Sequence, residues 1–250
     1  MLEVVHSQLM RILRKAQDHA SERGSSRIEM IDILFIFRRH PIQLNRIFQF
    51  LKSADIIKHY QGYSNPENDG CDLGVAYDKL DDIDDDVKYT LYGKNVQAMY
   101  DAVRVFDVTG ELRALFCQSP KMDAEKLERL TRLNRRASNM DEKEYQEYAE
   151  ARLCTICARH GRRSERWNAR FLKWLGEPCI APNTVTILNY IASEITCVVV
   201  EGASWCRQQE AKRWFHNEYP ENALQLRHYQ ESLRRNKAYI TNHDVLAGYF

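Results

Sequence analysis

Four groups of residues have the types and spacing that chemistry uses. Cys154 and Cys157 form a Cys-x-x-Cys pair, with His160 three residues further on. Structural zinc takes four ligands, and no second such pair or paired histidine stands at a usual spacing. A redox pair would accompany a βαβ unit, which the pattern lacks. These cysteines read as buried core thiols. Asn65, Glu67, Asp69 and Gly70 begin like a calcium loop. The twelfth position is Ala76 instead of Glu, and Pro66 interrupts the run, so linker is the better reading. The basic run Arg159, His160, Arg162, Arg163, Arg166 and Arg170 could meet phosphates or an acidic partner surface, with Glu165 breaking its charge. Glu194 and Glu201 stand seven apart and share one helix face. That face is either solvated or a docking surface for a basic partner.

Nothing in this inventory assembles an active site. There is no Gly-x-Ser-x-Gly, no glycine-rich phosphate loop and no His-Glu-x-x-His. No enzyme activity, cofactor, metal or small-molecule ligand is expected. With 44% hydrophobic and 28% charged residues, the 250-residue chain can bury one large or two small cores. Its net charge of +1 offers little counterion release, so any DNA contact is expected to be weak. No window is expected to cross a bilayer, and the N-terminus lacks the order of a secretory signal. Seven cysteines at irregular spacing point to reduced thiols in an intracellular compartment.

The elements that must position these residues read as helices, because period-2 alternation is nearly absent. Residues 1 to about 22 form an amphipathic helix with Leu2, Val5, Leu9, Ile12, Ala16 and Ala20 on one face, ended by Gly24. It starts inside its own periodicity, with no capping residue before it. From Ser26 to Asp55 two short helices follow, parted at His40-Pro41, where proline at a first helical position costs no hydrogen bond. Ile31, Leu34 and Phe35 stripe the first; Leu44, Ile47, Phe48 and Leu51 stripe the second. Each of those buried side chains is worth about 1.5–3 kcal/mol, a gain that short helices collect only against a partner surface. Residues 59–103 read as a flexible linker on the breakers and the acidic run YDKLDDIDDD up to Asp86, with helix resuming in its last part, from Tyr89 to Val105. Residues 104–141 read as charged connecting helices, in which Leu127, Leu130 and Leu133 make a narrow seam. The longest candidate helix, Asn183 to about Phe215, carries Ile187, Ile191 and Ile195, and a short one ends near Arg235.

A long helix followed by a short one, near each end of the chain, resembles the histone-fold pattern. The blocks VVHSQLMRILRKA, DILFIFRRHPIQLNRIFQFLKSAD, FDVTGELRALF, MDEKEYQEYAEARL and ILNYIASEI are similar, in order, to the suppressor-of-Ty number three family. That family supplies a subunit of the SAGA transcriptional coactivator. The resemblance covers most of the chain. It implies an all-α fold: an intramolecular pair of histone folds, the first truncated at its N-terminus, joined by an acidic linker. The domains would be residues 1–58 and 142–250. It also implies a nuclear, non-enzymatic scaffold that docks among other histone-fold subunits and delivers the TATA-box-binding protein to promoters. The histone-fold core would then be Leu34, Phe35, Leu44, Ile47, Phe48, Leu51, Ile187, Ile191 and Ile195, with Glu194, Glu201, Arg162 and Arg163 offered to partners. The C-terminal half of the chain would cover the Ser26–Asp55 stripes. The sequence departs from the family at Glu29, which stands where a capping threonine is favoured, and at His40, where Asp is favoured. A histone-fold DNA-binding protein and a subunit resembling those of the general factor TFIID are the alternatives.

Overall fold

The computed structural model describes residues 1–63, 93–117, 123–153, 162–213, 224–242 and 245–246, and among these the regular elements are all helices. In order they are α1 (Leu2–Glu22), α2 (Met30–Ile36) running into a 3-10 turn at Phe37–Arg39, and α3 (Pro41–Tyr63). Then come α4 (Lys94–Phe106), α5 (Glu111–Cys117), α6 (Ala124–Ser138) and α7 (Glu142–Leu153). The last four are α8 (Arg162–Trp174), α9 (Pro182–Arg213), α10 (Leu226–Arg235) and α11 (Lys237–Asn242). The chain divides into two compact units. The first comprises Met1–Asp18, Thr155–Ile180 and Val185–Phe250; the second comprises His19–Cys154 and Ala181–Thr184.

Helix α1 follows from the recurrence of Val5, Leu9, Leu13, Ala16 and Ala20 every three or four residues, all of them buried. Its stripe is rotated from the expected one at two places: Leu2 is 60% exposed and Ile12 is half-buried, while Leu13 turns inward. Gly24, at φ 77°, closes the helix, with Ser25 N–H donating to the Ala20 carbonyl at 2.8 Å. A side chain at that φ would clash with its own backbone, so glycine is the residue for the stop.

In the first unit, α9 is wrapped on nearly all sides. Ile187, Leu188, Ile191, Ala192, Ile195, Val198 and Val199 are buried, and among its described residues only Pro182, Asn183, Trp205 and Gln208 are exposed. Contrary to the expectation from sequence, Pro182–Glu210 is long and apolar enough to cross a bilayer. Part of that apolar surface, 44% of the window, is buried within the protein, as in the core helix of a folded domain. The opening turns of α1 belong to this unit. His6 Nε2 lies 3.2 Å from the Trp174 carbonyl, and its ring meets that indole edge-on at 4.9 Å. Gln8, 5% exposed, accepts the Val245 N–H at 3.1 Å.

The second unit corrects two expectations. The Ser26–Asp55 stripes are covered here by α4 and α5, so the surface they need comes largely from within residues 94–117. Leu44, Ile47, Phe48 and Leu51 are at most 1% exposed, and Phe48 stacks on Phe116 with ring centroids 4.6 Å apart and planes 6° from parallel. On α2 the inward residues are Met30, Ile33, Leu34 and Phe37; Ile31 and Phe35 are half-buried. Phe35 instead sits at an edge, against Phe106 at 5.6 Å and under the Arg38 guanidinium at 3.9 Å. The second helix of this stretch is also longer than expected, running 23 residues to Tyr63.

The expected linker, 59–103, is helical at 59–63 and at 94–103; its remaining residues, 64–92, lie outside the described ones. Helix α4 buries Val96, Met99 and Val103, four and three residues apart as a core helix requires. Its start is capped from α3. The Asp55 carboxylate, 8% exposed, accepts the N–H groups of Asn95 at 3.1 Å and Val96 at 3.0 Å, and the Asn95 side-chain amide at 2.7 Å. Glycine at 93 leaves room for it, because a Cβ there would stand 2.3 Å from Asp55 Cγ.

Gly93→Ala should therefore destabilise the second unit by about 1–3 kcal/mol, as overpacking does. Asp55→Ala should cost about as much, by orphaning buried N–H groups. Denaturant unfolding reads both. Asp55→Ala keeps its own Cβ, which would stand 2.4 Å from an added Cβ at 93, so the double variant should be less stable than either single one; a double variant as stable as Asp55→Ala alone would disprove the clash.

Candidate interaction surfaces

Arg46 positions the most exposed part of the second unit. It is 7% exposed on α3 and holds two carboxylates at the start of α6: Asp123, through Nε and Nη2, and Glu125, through Nη2 at 2.8 Å. Asp123 is also the N-cap of α6, accepting Lys126 N–H at 3.2 Å. One guanidinium thus neutralises a cap and directs a helix. Asp107 does similar work for α5 from 4% exposure, accepting Arg113 N–H at 3.0 Å and Arg113 Nε at 3.2 Å.

Beyond that anchor, no residue of α6 is buried. Leu127 and Leu130 stay 43% and 41% exposed, and on α7 Tyr145 is 41% exposed. Asn139 and Met140 join the two helices, and Asp141 caps α7 by accepting Glu144 N–H at 2.8 Å. The Arg136 guanidinium lies 5.7 Å from the Tyr148 ring. This helical hairpin presents apolar and charged groups together, the composition of a surface that meets another protein.

The residues offered to partners by the sequence fare differently. Glu194 and Glu201 are both half-buried in the first unit, and each is engaged by other groups of the chain, so neither is part of an open solvated face. Arg162 and Arg163 begin α8, and their side chains lie outside the described residues. So do Cys154, Cys157 and His160, and the calcium-like stretch from Asn65 to Ala76. Among the described residues, no group of histidine, cysteine and carboxylate side chains is arranged to hold a metal.

Two clasps are the feature that sequence reading missed. At α2, Asp32 is the third helical residue and 2% exposed. It accepts the Glu29 N–H at 2.8 Å and the Arg23 side chain at 3.2 and 3.0 Å. Asp32 therefore supplies backwards the cap that Glu29 lacks as a forward one. At α10, His228 is likewise the third helical residue and 5% exposed. Its Nδ1 accepts the Gln225 N–H at 3.0 Å, so the proton is on Nε2, which donates to Glu210 at 2.7 Å. In both places a short helix begins on a side chain that also reaches back to the end of the preceding long helix. The roles are exchanged: in one the long-helix side donates, Arg23 to Asp32, and in the other it accepts, Glu210 from His228. The signal was the spacing from Arg23 to Asp32, but a charged pair nine apart across a turn is common in any sequence.

Residues 1–64 match the family model described as transcription initiation factor IID, 18kD subunit. The matched stretch holds α1, α2, the Arg23–Asp32 clasp and α3. By that match the stretch is similar to a histone-fold, non-enzymatic family of transcription-initiation subunits, and the regular elements among the described residues are all helices. The match spans 64 of 250 residues. No curated protein and no solved structure matches the chain.

The carboxylates that place α5 and α6 make the second unit acid-sensitive. Burial pushes Asp107 upward, but the N–H groups of Arg113 and Leu112 and the Arg113 guanidinium outweigh it, leaving its pKa below the ordinary value. Burial also raises Asp123, and the Arg46 hydrogen bonds, the Lys126 N–H and the Arg46 charge bring it below. A depressed carboxylate contributes stability that is complete above its unfolded pKa of about 3.9 and lost as pH falls through the folded value. Melting temperature should therefore be flat from neutral pH to about 5 and fall steeply below about 4. Asp107→Asn should melt lower at neutral pH and show a shallower acid slope; an unchanged slope would remove Asp107 from the account.

Proposed function

We propose that this chain is a non-enzymatic nuclear scaffold of a SAGA-type coactivator. It would hold two histone folds in one polypeptide and bind and deliver the TATA-box-binding protein to support RNA polymerase II initiation. The repeated clasp carries this reading. A histone fold is a short, a long and a short helix, and α8, α9 and α10 have 13, 32 and 10 residues. The clasp that joins α1 to α2, inside the stretch matched to the initiation-factor family, recurs with donor and acceptor exchanged where α9 meets α10. Two further observations support a pairing within one chain. The opening eighteen residues cluster in one unit with α8 and α10. The Ala181 N–H, just before α9, donates to the Ile28 carbonyl, just before α2, at 2.9 Å.

On this reading α1 is the long helix of the first fold, and residues 142–250 contain the second. The core residues are Ile187, Ile191 and Ile195 in the first unit and Leu34, Leu44, Ile47, Phe48 and Leu51 in the second. Glu194, Glu201, Arg162 and Arg163 are the proposed partner contacts, and Leu127, Leu130 and Tyr145 join them as a second surface for neighbouring subunits. A TFIID-type subunit is the second reading, favoured by the family that residues 1–64 match. There the completing fold would come from another chain.

Two measurements test the proposal. The purified chain should be a folded monomer without any histone-fold companion and should capture the TATA-box-binding protein; a chain that folds only with a second histone-fold subunit supports the TFIID-type reading instead. Glu194→Gln with Glu201→Gln should weaken that capture about tenfold, equivalent to about 1.4 kcal/mol, measured at a temperature where circular dichroism shows the variant folded, because each carboxylate also has partners within the chain. The clasp equivalence has its own check. Glu210→Arg should destabilise the first unit, and adding His228→Asp should restore most of the loss; no recovery in the double variant would mean that the two clasps are not interchangeable.

A further inference from the structure

We infer that Ser138 is a phosphoacceptor for a basophilic serine kinase, and that phosphate there loosens the corner between α6 and α7. The sequence has four Arg-Arg pairs, at 38–39, 135–136, 162–163 and 234–235, and only the second has Ser or Thr two residues after it. Arg135-Arg136-Ala137-Ser138 is the arrangement such kinases accept, because two guanidinium groups at the third and second positions before the acceptor meet an acidic groove. Arg135, Arg136 and Ser138 are all exposed.

A kinase threads its substrate as an extended strand, so a serine locked in a packed helix would be refractory. Ser138 is not locked. It is the last residue of α6, a helix that buries no residue at all, and unwinding its final turn uncovers no core. The hydroxyl donates to the Asn134 carbonyl at 2.9 Å, a bond that fraying releases. The transfer balances with Mg·ATP as the phosphoryl donor. Ser138 Oγ forms a bond to the γ-phosphorus, the bond from that phosphorus to the β,γ-bridging oxygen breaks, ADP leaves, and the hydroxyl proton passes to the kinase's catalytic aspartate.

The product is badly placed for the folded corner. Phosphate brings a charge of about −1.5 to −2 to the negative end of α6, where unpaired carbonyls already point. Asp141, the cap of α7, is three residues away and carries the same sign. Ser138 also loses its donor to Asn134, and Arg136 is drawn from the Tyr148 ring toward the new charge. The Arg46 anchor, at the other end of α6, is untouched.

The test uses the full chain, Mg·ATP and the catalytic subunit of a cyclic-nucleotide-dependent kinase. Mass spectrometry should place one phosphate on Ser138 of the folded protein and none there in Ser138→Ala. Arg135→Gln with Arg136→Gln should slow the transfer at least tenfold. Amide exchange over 134–150 should quicken severalfold after phosphorylation, while the melting temperature of the chain stays the same. The proposal is overturned if folded protein takes no phosphate at Ser138, whether or not a synthetic peptide of residues 129–144 does. It is equally overturned if the arginine variants react at the parental rate, or if exchange at the corner is unchanged by the phosphate.

Discussion

The second unit depends on one buried carboxylate. Asp55 stands on α3 and ends its charge on the unpaired N–H groups that open α4. A helix start leaves such donors without partners, and a buried carboxylate needs donors to replace its lost water, so each solves the problem of the other. With that bond made, α4 is pinned along α2 and α3, and Val96, Met99 and Val103 close the face that Leu44, Ile47 and Leu51 leave open. The same device places α5 on Asp107 and α6 on Asp123, the latter with Arg46 behind it. Three successive helices are started by aspartate, which gives each a defined direction at its first turn.

That economy explains the contrast between α4 and the hairpin of α6 and α7. Helix α4 is both capped and packed, so it belongs to the core. Helix α6 is capped and anchored at its first turn and then leaves the core, with its leucines half in solvent. An anchored helix with no buried face is stable in direction but cheap to unwind at its far end. Such an element suits contact with another subunit and suits covalent modification at its tip, and neither demands that the core move.

The paired clasps carry a different lesson. Asp32 and His228 do the same two tasks, one as a carboxylate and the other as an imidazole, so what is repeated in the chain is geometry. A third-position acceptor closes the helix start, and its second contact fixes the turn that precedes it. Glu29 is not a lost cap, because the bond from its N–H to the Asp32 carboxylate closes the start of α2 from the other side. Comparing residue types at equivalent positions would score these two clasps as unrelated.

Much was legible in the sequence by itself. The all-helical class, the stop at Gly24, the break at Pro41 and the apolar stripes of α3 and α9 follow from local rules, because a period of 3.6 and a φ constraint act within a few residues. The resemblance of the N-terminal blocks agreed, at the level of a histone-fold initiation subunit, with the family matched by residues 1–64. Only the tertiary structure decided which stripe meets which. Residues 94–103 have a helical period, but the placing of that helix in the core rests on Asp55, forty residues away, which accepts its first N–H groups. The rotation of α2, which turns Ile33 in and Phe35 to the edge, answers to the Arg23–Asp32 pair in the same way. Periodicity is a property of neighbours along the chain, whereas the satisfaction of buried charges is a property of neighbours in space.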